Sequence, residues 1–162
     1  MHNLRVETFI KIIFLVSLVS IISAYFIEYV LGHQPCNLCL IERIPYGLAV
    51  VLIILNHILI KNKRFMILLL ILVFSFSLII SFYHFGIEQG IFEESAVCEL
   101  IDTSNIVSKE ELLKQLQVKN VSCKDVTFRI FGFSLTSLNI IISLILVIFL
   151  LKIFKNYEKF KK

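Results

Sequence analysis

Four stretches of this chain are long and apolar enough to restrict it to very few architectures: Ile12–Leu31, Ile44–Ile60, Phe65–Phe85 and Ile130–Leu151. At about 1.5 Å per residue, roughly 20 apolar residues cross the ~30 Å hydrocarbon layer of a bilayer. The first run carries Glu28 near its end, and the other three carry no Asp, Glu, Lys or Arg. A secretory signal is the competing reading of the first run, because small residues occur over Ser20–Ala24. That run is longer than a usual signal core, so a membrane span is the better reading. With 58% apolar and only 17% charged residues, the chain reads as one integral membrane domain over residues 1–162.

The polar residues divide by side. Ten Lys and Arg residues lie in the amino-terminal flank, the Lys61–Arg64 turn and the tail, against Glu7 and Glu158. Residues 86–129 carry five basic residues against eight acids. The positive-inside rule therefore places both termini and the 61–64 turn in the cytoplasm, with loops 32–43 and 86–129 facing outward. The basic residues sit in short flanks rather than along one face, which argues against nucleic-acid binding. Ser108-Lys109-Glu110-Glu111 is a capping-box pattern, and it predicts a short amphipathic helix over about Lys109–Gln117 in the second loop. The expected fold is an all-α membrane protein, a four-transmembrane-helix bundle with two outward loops and that amphipathic helix.

All four cysteines lie in the two outward loops, on the side where disulfides persist. Cys36 and Cys39 form a Cys-x-x-Cys pair, while Cys98 and Cys123 enclose 24 residues. Four cysteines allow three connectivities. A structural staple accounts well for Cys98 with Cys123. It accounts poorly for Cys36 with Cys39, because so short a loop constrains little chain entropy. Close pairs of this kind more often hold an exchanging disulfide with an acidic thiol. A zinc site fits less well, since its second close pair usually follows some 15–20 residues on.

Arg43 follows Cys39 by four residues, one helical turn further on the same face. There it favours a thiolate and offers donors to a small redox partner. Glu42 is a candidate partner for it, and Glu28 is expected near the interface. Tyr25, Tyr29 and Tyr46 fit an aromatic belt. His33 reads as a solvated loop residue. Asn56 and His57 are expected near the inner headgroups or bonded to a neighbouring helix. Asn120-Val121-Ser122 matches a glycosylation acceptor, a motif short enough to arise by chance.

The segment Gln34-Pro35-Cys36-Asn37-Leu38-Cys39-Leu40-Ile41-Glu42-Arg43 resembles the first outward loop of the disulfide bond formation protein B (DsbB) family. Tyr83-His84-Phe85-Gly86-Ile87-Glu88 is similar to that family's segment leaving the third span. Phe131-Gly132-Phe133-Ser134-Leu135 and Asn139 are similar to the start of its fourth. The resemblance covers nearly the whole chain.

It implies a multi-pass protein of the bacterial inner membrane that reoxidises a periplasmic, thioredoxin-fold oxidase of the DsbA type. The electrons would pass to a quinone, ubiquinone or menaquinone. It implies redox-active disulfides Cys36–Cys39 and Cys98–Cys123. Cys39 would lie next to the quinone, Cys36 would exchange with Cys123, and Cys98 would meet the oxidase. Arg43 and His84 would lie at the quinone. The chain lacks tryptophan, and Phe128 stands where many relatives have one. A vitamin K epoxide reductase-like enzyme is the nearest alternative, but its active pair lies late in the chain. A tetraspan scaffold with structural disulfides is the non-enzymatic one.

Overall fold

The computed structural model describes residues 2–60, 62–93, 98, 122–124, 128–130 and 132–159. Four long helices dominate them: α1 (His2–Tyr29), α2 (Asn37–Leu55), α3 (Lys63–Glu88) and α4 (Leu135–Lys159). Each contains a segment long and apolar enough to cross a membrane. α1 packs on α2, α2 on α3, and α3 on α4. The chain is an all-α, multi-pass membrane protein. The expected amphipathic helix over Lys109–Gln117 lies outside the described residues.

The helices do not coincide with the apolar runs. α1 starts at His2, ten residues before the first run, so Glu7 lies on it and pairs with Lys63 across the start of α3 at 2.6 Å. α2 begins at Asn37, which puts Cys39, Glu42 and Arg43 on the helix rather than in a loop. Pro45 consequently sits inside α2 and not near its start. A proline there removes one backbone bond, a defect that membrane helices tolerate when neighbours re-satisfy the carbonyl. A π-helical turn, Asn56–Ile60, ends α2. Asn56 is buried, and its amide donates to the Asn62 carbonyl of the following turn at 3.4 Å.

At the other connection, β1 (Arg129–Ile130) and β2 (Phe133–Ser134) form a minimal antiparallel hairpin. Gly132 turns it with a φ of +87°, open to glycine and strained for other residues. The fourth helix therefore starts at Leu135, five residues into the apolar run, because the hairpin consumes the first residues of that run.

The packing is that of a protein whose solvent is lipid. Leu15, Ile22, Leu72, Phe76, Ile79 and Phe82 are all exposed. Ser17, Ser77, Ser81 and Ser143 are fully buried. Small polar residues let membrane helices approach closely and bond across the interface. The end of the bundle away from the cysteines is filled by an apolar cluster that includes Val6, Ala49, Ile53, Leu70, Phe74 and Leu150. Between that cluster and the cysteines, Asn139 of α4 knits three helices. Its amide nitrogen donates to Ser81 Oγ on α3 at 2.7 Å and to Glu42 Oε2 on α2 at 2.8 Å. Its carbonyl oxygen accepts from the Tyr46 hydroxyl.

Replacing Asn139 by Leu leaves Glu42, Ser81 and Tyr46 each short of a partner. The expected cost is about 1–3 kcal/mol, the usual penalty for an orphaned buried polar group. Thermal unfolding in detergent should show it as a lowered midpoint, with helix content at low temperature unchanged.

Candidate active site

The site is built where α1 ends and α2 begins. Gly32 has a φ of +73°, and the His33 amide bonds back to the Ile27 carbonyl, so the chain leaves α1 in a sharp turn. Pro35 disfavours the helical region for Gln34 before it, which keeps the link between the two helices extended. Cys36 is extended (φ −74°, ψ 168°) and serves as the N-cap of α2. Its sulfur accepts from the Cys39 amide at 3.3 Å, where a serine or aspartate oxygen would usually stand.

Capping brings the two thiols together. Cys36 Sγ and Cys39 Sγ are 2.8 Å apart as free cysteines. The gap to a disulfide bond of 2.03–2.05 Å is under ~1 Å. Cys36 Sγ also lies 3.5 Å from His84 Nε2, contributed by the last turns of α3. On the other side of the ring, His84 Nδ1 donates to Glu42 Oε1 at 2.9 Å. The same nitrogen lies 3.3 Å from Thr136 Oγ1, at the start of α4. His84 is only 1% exposed, so its two ring nitrogens are fully employed inside the protein.

Cys36 lies just outside the membrane-spanning part of α2. Its thiol pKa is pushed down from an ordinary 9.0 to about 5. The hydrogen bond from Cys39 is the largest cause, followed by the hydrogen bond and charge of His84 and the backbone amide at the cap; burial opposes them. This sharpens the expectation drawn from the sequence. The acidic thiol is Cys36, where the sequence set Arg43 beside Cys39, and the side chain that reaches Cys36 from α3 is His84.

Arg43 does lie one turn beyond Cys39, but its described partners are on α1. It pairs with Glu28 and lies over the Tyr25 ring at 5.1 Å. Glu42, expected beside Arg43, turns to His84 and Asn139 instead. Tyr46 belongs to the buried network and not to an interfacial belt. His33 is not simply solvated: its ring lies 5.0 Å from that of Phe128, so the first loop touches the second.

The second cysteine pair is a disulfide, Cys98–Cys123, with Cα atoms 5.8 Å apart. Both residues are buried in one cluster with Cys36, Leu38 and Ile87, against which Cys39, Ile41 and Tyr83 pack. The structure thus gathers all four cysteines at one end of the bundle. The sequence alone assigns neither Thr136 nor Glu28 these partners. Glu28, a charge within an apolar run, was a visible signal; Thr136 offered none.

Cys36, Cys39 and His84 present three ligand atoms within 4.8 Å of one another. Two thiolates about 2.3 Å from a tetrahedral zinc would lie roughly 3.7–3.8 Å apart. The observed 2.8 Å is too close for that and suits a dithiol poised to close.

The Cys36 assignment has a direct readout. In reduced protein, alkylation of Cys36 should follow a titration with a midpoint near pH 5, because the thiolate prevails above its pKa of about 5. His84→Ala removes two of the causes that lower it, so the midpoint should move up toward 9.0. Mass spectrometry of samples quenched across pH checks both. A midpoint unchanged by His84→Ala would remove the histidine from the site.

The sequence profile of the family described as "Disulfide bond formation protein DsbB" matches residues 7–153. An uncharacterized protein of Rickettsia prowazekii (strain Madrid E) is 34% identical over 139 residues, 83% of this chain and 80% of that protein. No solved structure matches the chain. The profile runs through all four candidate spans and takes in all four cysteines. By that match the chain belongs to the DsbB family of disulfide bond formation proteins, membrane thiol oxidoreductases.

Proposed function

We propose that this protein, a single domain over residues 1–162, carries electrons from a reduced DsbA-like oxidase to a membrane quinone and so regenerates the oxidase. The observation that carries the reading is the packing of an acidic, nearly closed Cys36/Cys39 dithiol in one cluster with the Cys98–Cys123 disulfide. A scaffold with two structural staples has no need of a thiol held at a pKa of about 5. The cysteine end faces the bacterial periplasm in this reading, in keeping with the charge bias of the loops.

The relay proceeds by thiol–disulfide exchange, each step through a mixed disulfide. A partner thiolate attacks Cys98 Sγ, the Cys98–Cys123 bond breaks, and Cys123 leaves as a thiolate. Cys123 attacks Cys36 in the closed Cys36–Cys39 pair and releases Cys39. A second partner thiolate resolves the mixed disulfide at Cys98, and Cys98 then attacks Cys123, re-forming Cys98–Cys123 and releasing Cys36. The electron pair taken from the partner now resides on Cys36 and Cys39 as a dithiol.

The residues around Cys39 fit a quinone headgroup. Cys39 is less buried than Cys36, and Leu40, Ile44 and Tyr25 present apolar surface where a lipid-soluble ring would arrive. Arg43 has five N–H donors, and the bond to Glu28 leaves others for a carbonyl oxygen. When bound, a quinone supplies an acceptor for two electrons and two protons. Arg43 would orient it and favour negative charge developing on its oxygen. His84, with both ring nitrogens engaged, serves the Cys36 sulfur instead of the ring.

Purified protein with ubiquinone or menaquinone should oxidise a reduced thioredoxin-fold partner. Cys36→Ser and Cys39→Ser should each abolish turnover. Arg43→Ala should slow quinone reduction by about 10²–10³ while leaving exchange at Cys98 near normal, the scale of losing one preorganised donor. Unaltered turnover in both cysteine variants would leave only a scaffold.

A further inference from the structure

A groove of about 480 Å³ runs between the end of α3 and the start of α4, and neither the cysteines, Arg43 nor His84 line it. One candidate span ends at Glu88 and another begins at Leu135, so the groove lies where hydrocarbon gives way to headgroups. Its lining follows that gradient. Phe85 and Phe82 lie about one and two turns into α3 from Glu88, and Ile140 and Ile141 lie about a turn and a half into α4 from Leu135. Phe82 and Ile141 are exposed toward lipid. At the headgroup end stand the two charged residues of the lining, Glu88 and Arg129.

Those opposite charges share the groove without meeting. Among the described residues, neither forms an ion pair, with the other or with a third group. Each is nonetheless held in place. Thr136 Oγ1 donates to Glu88 Oε1 at 2.6 Å. Arg129 belongs to β1, opposite Ser134 of β2, so the hairpin delivers it to the head of α4. Ser134 and Ser137 also line the groove, and their hydroxyls bond each other at 2.9 Å. Glu88 Oε2 is buried and has no hydrogen-bond partner among the described residues. A buried carboxyl oxygen without a donor costs free energy that an incoming donor removes. The groove therefore suits one molecule with a cationic donor for Glu88, an anion for Arg129 and an apolar chain for Phe82 and Ile141.

We propose that the α3–α4 groove is a binding site for a phospholipid whose headgroup carries a primary ammonium, as in phosphatidylethanolamine. The ammonium donates to the Glu88 carboxylate, and the phosphate accepts from the Arg129 guanidinium. An acyl chain follows Phe85, Phe82 and Ile141 down the bundle. Other bilayer molecules match less of the lining. A quinone head carries only acceptors and has nothing to donate to Glu88. Phosphatidylglycerol brings an anion without a cation, and phosphatidylcholine brings a cation without an N–H. The bound lipid ties the end of α3 to the hairpin that leads into α4. Those two segments carry His84 and Thr136, whose side chains meet at 3.3 Å.

The test uses the full chain, delipidated in detergent. The probes are phosphatidylethanolamine, its N-methyl and N,N-dimethyl forms, phosphatidylcholine and phosphatidylglycerol, all with the same acyl chains. Native mass spectrometry reads the lipid retained, and the thermal midpoint reads stabilisation by a ligand that binds only the folded protein. Retention should fall stepwise as the headgroup N–H donors are methylated away. Phosphatidylethanolamine should bind about tenfold more tightly than phosphatidylcholine, the scale of one hydrogen bond to a charged group. Glu88→Gln should erase that preference. Arg129→Gln should weaken all five lipids alike, since each carries the phosphate. Excess ubiquinone should leave the lipid in place. Equal retention across the methylation series by the parent protein would overturn the proposal, whether or not the variants fold. So would an intact preference in Glu88→Gln, tighter retention of phosphatidylglycerol, or displacement by ubiquinone. No thiol takes part in these readings, so they stand or fall apart from the quinone assay.

Discussion

A carboxylate held among packed, lipid-facing helices is the constraint on which the cysteine end of this bundle depends. Glu42 is 8% exposed on α2, and a carboxyl group so placed is tolerated only with partners for its oxygens. His84 supplies one from α3, and Asn139 supplies the other from α4. Those two bonds fix the relative placement of three helices. They also orient the imidazole so that its far nitrogen meets Cys36. Helix association and thiol chemistry are therefore served by one network. One of the side chains that let α2, α3 and α4 bond across the interface, His84, joins Cys39 in lowering the pKa of a sulfur at its edge.

The bundle divides along its length. Toward the termini, apolar side chains such as Leu70, Phe74 and Leu150 fill the interior without directional bonds. Toward the cysteines, the interior becomes polar and each contact has a geometry. Lipid gives little hydrophobic reason for helices to associate, so directional bonds and close packing at small residues carry more of the specificity. Ser77, Ser81 and Ser143, all fully buried, mark the boundary between the two regimes.

Much of this was legible in the sequence. Four charge-poor runs separated by polar links specify four spans, because bilayer thickness sets their length. Cys36, Cys39, Cys98 and Cys123 fall in two links on the same side of the bundle, which foreshadows their gathering. The start of α2 was not legible, because cysteine is not among the usual capping residues and Pro45 suggested a later beginning. The partners of Arg43, Glu42 and Tyr46 were hidden for a different reason. Spacing says which residues share a face of one helix, but not which face a neighbouring helix presents. Glu28 reaching Arg43 from α1 is a product of docking and has no local signature. Thr136, seven residues past Arg129 among the small polar residues Ser134, Ser137 and Asn139, reads as one more of them until α3 is placed beside it.

Cys36 plays two parts that proteins usually give to different atoms. Its sulfur ends the first turn of α2 by accepting the Cys39 amide, and the same sulfur is the acidic thiol. The two properties are thermodynamically reciprocal: whatever the cap contributes to the thiolate, the thiolate returns to the cap. Protonating that sulfur, or drawing its electrons into a bond, weakens the acceptor that holds the turn. The first turn of α2 is thus held more firmly over a thiolate than over a thiol or a disulfide sulfur.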